Sequence, residues 1–233
     1  MNSKLLRFFR FSLATFATFL VSVSAAVAGP PLICHPFDIG NAKSLPWTSH
    51  DWNLDGRESY DTRNLAGDTL ALLDGSLVPL VHMETLRRAT LYARSDRVAA
   101  KQLLLKLVAR AQNSESSSHP DAFAIFDAAY LIEAYKQWLG EKSENPANGL
   151  DGLAWIKKSV QLRPNDAQIA FAASLITLQG PEAEQQEYAR KVIAGAKNDE
   201  LLARNLASHL RGVQSGTMAE MILRSNSTKV AKQ

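Results

Sequence analysis

Two short stretches near the N-terminus hold the side chains best suited to chemistry. Asp51-Trp52-Asn53-Leu54-Asp55-Gly56 places oxygen ligands at alternate residues and a glycine at the sixth position, as in the opening half of a calcium-binding loop. Ser59 suits the ninth position, but Thr62 stands where a bidentate carboxylate belongs, Asp61 falls one residue early, and Glu58 replaces an aliphatic side chain. Without the closing ligand, affinity falls steeply. The leading expectation is therefore an Asp/Asn/Gly turn whose acids face water or cap the next helix, with Ca2+ at Asp51, Asn53 and Asp55 as the alternative. Cys34-His35, with His50 and Asp51 downstream, offers a thiolate and imidazoles to Zn2+ or copper. Strong zinc sites bring two spaced ligand pairs, whereas adjacent side chains on an extended strand diverge. That divergence also disfavours a Cys–His nucleophile pair, which needs the two to converge. A buried Cys34 thiol and a surface His35 imidazole is the plainer expectation, and a metal site at Cys34, His35 and His50 is the alternative.

Elsewhere the polar clusters read as structural. Glu84 and Arg88 are four residues apart, the spacing of an ordinary helical ion pair, and with His82 and Arg87 they suggest a solvated helix face. His119 precedes a helix start, and His209 lies near a helix end, where the dipole favours a cation. Trp138, Trp155 and Tyr188 recur at helical spacing and are expected to pack between layers. No Gly-rich phosphate loop, nucleophile elbow or zinc-protease helix is present, so nothing specifies an enzyme.

The elements that would carry these residues follow from pattern. Basic Lys4, Arg7 and Arg10 precede an apolar run from Phe11 to Val23 and small Ala26-Val27-Ala28, the three parts of a secretory signal peptide in order. The run is shorter than a membrane span needs, and Gly29-Pro30-Pro31 stops a helix. Cleavage after residue 28 implies a secreted or periplasmic protein without membrane insertion. It also removes three cations and no anion, taking the formal charge from +3 to zero and leaving no electrostatic footprint for nucleic acid. Cys34 is the one cysteine, so packing must stabilise the fold without an internal disulfide. Residues 29–64, with prolines 30, 31, 36 and 46 and aromatic Trp47, Trp52 and Tyr60, lack helical period and suggest an ordered, extended arm over the first helices. Helical pattern then runs through Leu65 to Leu73 before Gly75, from Pro79, along Ala100, Leu104, Leu107 and Ala111, and from Asp121 to Leu139. It resumes over Leu150–Leu162 and Asn165–Gln179.

The second half repeats itself. Trp155-Ile156-Lys157-Lys158-Ser159-Val160 with Asn165-Asp166 aligns on Tyr188-Ala189-Arg190-Lys191-Val192-Ile193 with Asn198-Asp199, an offset of 33 residues. Ile169 falls on Leu202, Ala170 on Ala203 and Ala173 on Leu206. With Ser159 to Asp166 ending one helix and turning into the next, residues 121–212 resemble a divergent tetratricopeptide (TPR) repeat array. The usual aromatic and Leu-Gly pair is missing from Asn165–Gln179. The resemblance implies an all-α fold of antiparallel helix pairs stacked as a short TPR-like α-solenoid over residues 65–224, behind the irregular arm and before a disordered tail at 225–233. It also implies a non-enzymatic interaction module that meets a protein partner through Asp121–Leu139 and Asn165–Gln179. The alternative is a metal-binding or thiol-dependent protein with its site in the arm.

Overall fold

The computed structural model describes residues 30–48, 54, 56–139, 145–178 and 180–211. The segment read as a signal peptide lies outside these residues, as do His50, Asp51, Asn53, Asp55 and the C-terminal tail. Among the described residues, eight α-helices follow the arm: α1 (Leu65–Asp74), α2 (Pro79–Ala93), α3 (Arg97–Glu115), α4 (Ala122–Leu139), α5 (Gly152–Leu162), α6 (Ala167–Ile176), α7 (Glu182–Gly195) and α8 (Glu200–Arg211). Among the described residues there is no β-strand; a single antiparallel bridge joins Trp47 to Gly56 in the arm. The chain is all-α.

Aspartates start most of these helices. Asp96, Asp121, Asp151, Asp166 and Asp199 each accept from one or two backbone N–H groups of the first turn, satisfying donors that no helical carbonyl can reach. Pro79 opens α2 instead, at a position where its missing N–H is no loss. The 33-residue offset persists in these boundaries: α5 ends at Leu162 and α7 at Gly195, while α6 begins at Ala167 and α8 at Glu200. Asp166 and Asp199 occupy the same capping position in the two copies.

Burial divides the helices into two sets. α2 packs on α4 and α6, and α4 packs on α6, while α3, α5 and α7 lie against this layer from outside. Every residue of α2 except Arg88 is buried, as are all of α6 from Ile169 onward and all of α4 except Glu133, Lys136, Gln137 and Trp138. Helices without a polar face need cover on every side. Outer helices supply one side; the arm supplies the other. Its Leu32, Ile33 and Leu45 are completely buried and Phe37 nearly so. At roughly 1.5–3 kcal/mol for each buried side chain, these four contribute on the order of 6–12 kcal/mol, as large as the whole net stability of a typical domain. The arm is part of the core.

Close approach replaces bulk where α7 meets α6. A Cβ on Gly195 would fall inside the van der Waals envelope of the Ala167 methyl, at the first residue of α6. Gly→Ala in an unobstructed helix adds about 1 kcal/mol of stability, whereas overpacking costs about 1–3 kcal/mol. Gly195→Ala is therefore expected to lower the urea midpoint. Adding Ala167→Gly should restore part of the loss; a midpoint raised by the single variant would show that the junction has slack.

Candidate functional site

Polar chemistry concentrates where the arm crosses α2, α4 and α8. Glu84 on α2 is wholly buried, three residues before Arg87, also wholly buried, and four before Arg88. Arg87 grips the carboxylate twice, Nε to Oε2 at 2.8 Å and Nη2 to Oε1 at 3.1 Å, and Arg88 Nε adds a bond to Oε1 at 2.6 Å. The Phe37 N–H donates to Glu84 Oε2 at 3.0 Å. Both guanidinium groups then reach the arm's main chain: Arg87 Nη1 donates to the Ile33 carbonyl at 3.0 Å and Arg88 Nη1 to the Leu45 carbonyl at 2.6 Å. The Trp47 ring faces both cations at 5.4 and 5.9 Å.

Other helices read the arm in the same way. Gln137 on α4 accepts from the Leu32 N–H, and the Tyr130 hydroxyl donates to the Leu32 carbonyl. The Asn205 amide on α8 makes both main-chain bonds of one residue: Oδ1 accepts from Asp38 N–H and Nδ2 donates to Asp38 O, each at 2.8 Å. Tyr92 donates to the Pro46 carbonyl and accepts from the Arg57 N–H. Since the arm's extended stretch has no ladder of its own, helix side chains take that role.

Several expectations need correction. His82, Glu84 and Arg87 do not form a solvated face; all three are buried, because the arm and α4 cover the side of α2 that would otherwise meet water. His35 is buried rather than on the surface, its ring 5.2 Å from that of His209. His209 is not a dipole-stabilised cation. It stacks on Phe37 at 4.7 Å and meets Phe171 edge-on; its Nδ1 bonds the Asn205 carbonyl, and its Nε2 has no hydrogen-bond partner among the described residues. Burial lowers its pKa to about 4, so it is neutral at neutral pH.

Cys34 and His35 are both placed by a turn in which the Ile33 and Cys34 N–H groups donate to the Pro30 carbonyl. Cys34 is half-buried, and burial pushes its thiol up against the opposing pull of Arg87, which disfavours a ready thiolate. No group of three or more His, Cys, Asp or Glu side chains among the described residues is arranged to hold a metal ion. His50 and the calcium-loop ligands Asp51, Asn53 and Asp55 fall outside those residues. The described end of that loop is committed to capping: Asp61 accepts from Arg63, and Thr62 donates to Asp96 Oδ2 at 2.7 Å.

One further pair has the form of a catalytic dyad. His82 Nδ1 lies 2.6 Å from Asp127 Oδ1, and His82 Nε2 lies 3.1 Å from the Ser76 carbonyl. Both ring nitrogens face acceptors, which suits an imidazolium, and Phe123 and Phe126 close over the ring. A buried pair with both nitrogens engaged has no room for a substrate. Desolvation opposes the charged imidazole, but the Asp127 carboxylate and the Ser76 carbonyl prevail and raise the His82 pKa; burial raises that of Asp127. The pair holds its proton more tightly than its separated members would.

No helix of the described residues is long and apolar enough to cross a membrane. No protein-family model, curated protein or solved structure matches this chain. Its site therefore has to be read from its own geometry, which is that of side chains binding an extended main chain.

Two predictions follow from the charges. Glu84→Leu strands a buried cation and the Phe37 N–H and is expected to cost about 3–5 kcal/mol in chemical denaturation. Arg87→Leu leaves Glu84 with Arg88 and Phe37 and should cost less; the reverse order would show that the arginine, not the carboxylate, is the hub. Two of the buried histidines, His82 and His209, titrate in opposite senses. The unfolded His209 takes up a proton near pH 6.5 and the folded one only near 4, so stability falls across that window as pH drops, by up to ~3 kcal/mol. His82 contributes fully below about pH 6.5, and its contribution is lost as pH rises through its raised folded value. Urea midpoints against pH should therefore fall on both sides of a maximum near 6.5, with His209→Leu flattening the acid limb and His82→Gln the other.

Proposed function

We propose that this chain is an exported, TPR-like helical-repeat module that binds another protein without catalysing a reaction. The observation that carries this reading is the 33-residue offset, kept in both helix ends and capping aspartates across α5–α6 and α7–α8. The expected contact surface changes, however. α4 and α6, the helices such an array would use toward a partner, are buried beneath the chain's own arm. What remains open is the outer side, where Val98 and Leu105 on α3 and Leu153 and Leu162 on α5 are exposed.

A photoreactive residue at Leu153, expressed in the native cell envelope, is expected to give a discrete crosslinked adduct. The same probe at Gln137, beneath the arm, should give none. A protein that stays a monodisperse monomer with no adduct from either outer-helix position, Leu153 or Leu105, would remove the basis of the reading.

A further inference from the structure

We infer that a groove on the outer side, between α3 and the turn at residues 145–150, is a binding site for a single-chain aliphatic carboxylate. The groove encloses about 500 Å³ and is lined by Arg97, Lys101, Leu104, Leu105 and Val108 of α3 and by Leu150 opposite. The α3 residues fall four, seven, eight and eleven positions after the first, along one helix face for about 16 Å. Their order is polar, with two cations at one end and three aliphatic side chains at the other. A ligand matched to that stripe has an anionic head and an unbranched apolar tail.

The wall facing α3 is built before any ligand arrives. Asn145 is buried; its Nδ2 donates to the Tyr135 carbonyl at the end of α4, and its Oδ1 accepts from the Ala147 N–H, both at 3.0 Å. Gly149, at φ +77°, adopts a left-handed conformation in the turn that brings Leu150 back to the groove. Ala147, fully buried, anchors the turn from beneath. Such a wall loses little freedom on binding.

Charge and exposure identify the occupant. Arg97 and Lys101, like Lys106 on the same helix, have no ion-pair partner among the described residues, but of these cations only Arg97 and Lys101 line the groove. Between its capping Asp96 and Glu115, α3 carries no acidic residue, and the Asp96 carboxylate is turned to the Val98 and Ala99 N–H groups and the Thr62 hydroxyl. Leu104 forms a buried floor, and Leu105 is left 57% exposed beside it. The volume is that of a small-molecule site and suits one aliphatic chain rather than a two-chain lipid.

The inference does not depend on the array's binding a protein. Its test is calorimetric titration of the full mature chain with decanoate. Saturable binding at one site per chain, a raised melting temperature, and no binding of decanol or decyltrimethylammonium are expected. Arg97→Glu with Lys101→Glu should weaken binding at least tenfold, as should Leu105→Asp alone, while Lys157→Glu on α5 should leave it unchanged. These positions are exposed, and unchanged helical circular dichroism will show that the variants fold; Lys101→Gln serves if the double variant does not. The inference is overturned by no saturable binding, by equal binding of the cationic amphiphile, or by binding that survives the charge reversals. Uptake of many molecules with loss of helicity, or binding only to phosphatidylglycerol vesicles, overturns it as well.

Discussion

The arrangement depends on one buried carboxylate. Glu84 alone would be an expensive group in a protein interior, and so would either arginine beside it. Together they share bonds, and the donors left over point outward from α2 toward the Ile33 and Leu45 carbonyls. An irregular arm has main-chain groups that no strand or helix satisfies. The cluster and the arm thus answer each other's need: charges are shielded by the arm, and the arm's polar backbone is satisfied by the charges.

This exchange explains how a protein with one cysteine, and hence no internal disulfide, fixes a long irregular segment. The arm is tied at Leu32 to α4, at Ile33 and Phe37 to α2, at Asp38 to α8, and at Leu45 and Pro46 again to α2. Between these ties, its apolar side chains enter the core. Phe37 is the meeting point, edge-on to Tyr130 and Phe171 and stacked on His209. Elements from both ends of the described sequence therefore converge on one aromatic ring, and α8 is held by the arm as well as by its own neighbours.

Local signals in the sequence located the helices well. Aspartate caps, Pro79 and Gly75 mark starts and stops with nearby residues alone, and Asn165–Gln179 runs past α6 at both ends, by Asn165 and the capping Asp166 before it and from the C-capping Thr177 onward after it. The 33-residue offset was legible for the same reason. Burial of α2 was not. A Glu and an Arg four residues apart have the same local sequence whether they face water or an arm, and the deciding groups at Ile33 and Phe37 lie 54 and 47 residues away from their partners. His209 failed similarly: its position near a helix end predicts a cation, but Phe37 and Phe171 surround it with apolar rings. The abundance of alanine and aromatic residues in α4, with few charges, and the lack of any charged residue in α6 were the available signs that these central helices lack a wet face.

The same energetics limit how the protein can act. A partner entering the groove over α2 and α4 would have to replace Leu32, Ile33, Phe37 and Leu45 and also satisfy Glu84, Arg87 and Arg88. The arm is attached covalently and is present at a high effective concentration, so a separate peptide competes at a disadvantage even with equal contacts. Removing the arm without replacement exposes apolar surface worth as much as the net stability of a domain, and leaves buried charges short of partners. Binding that preserves the fold is then binding with the arm in place. The surface left for it is that of α3 and α5, whose exposed leucines lie outside the core, together with Arg97 and Lys101 of α3, which form no ion pair among the described residues.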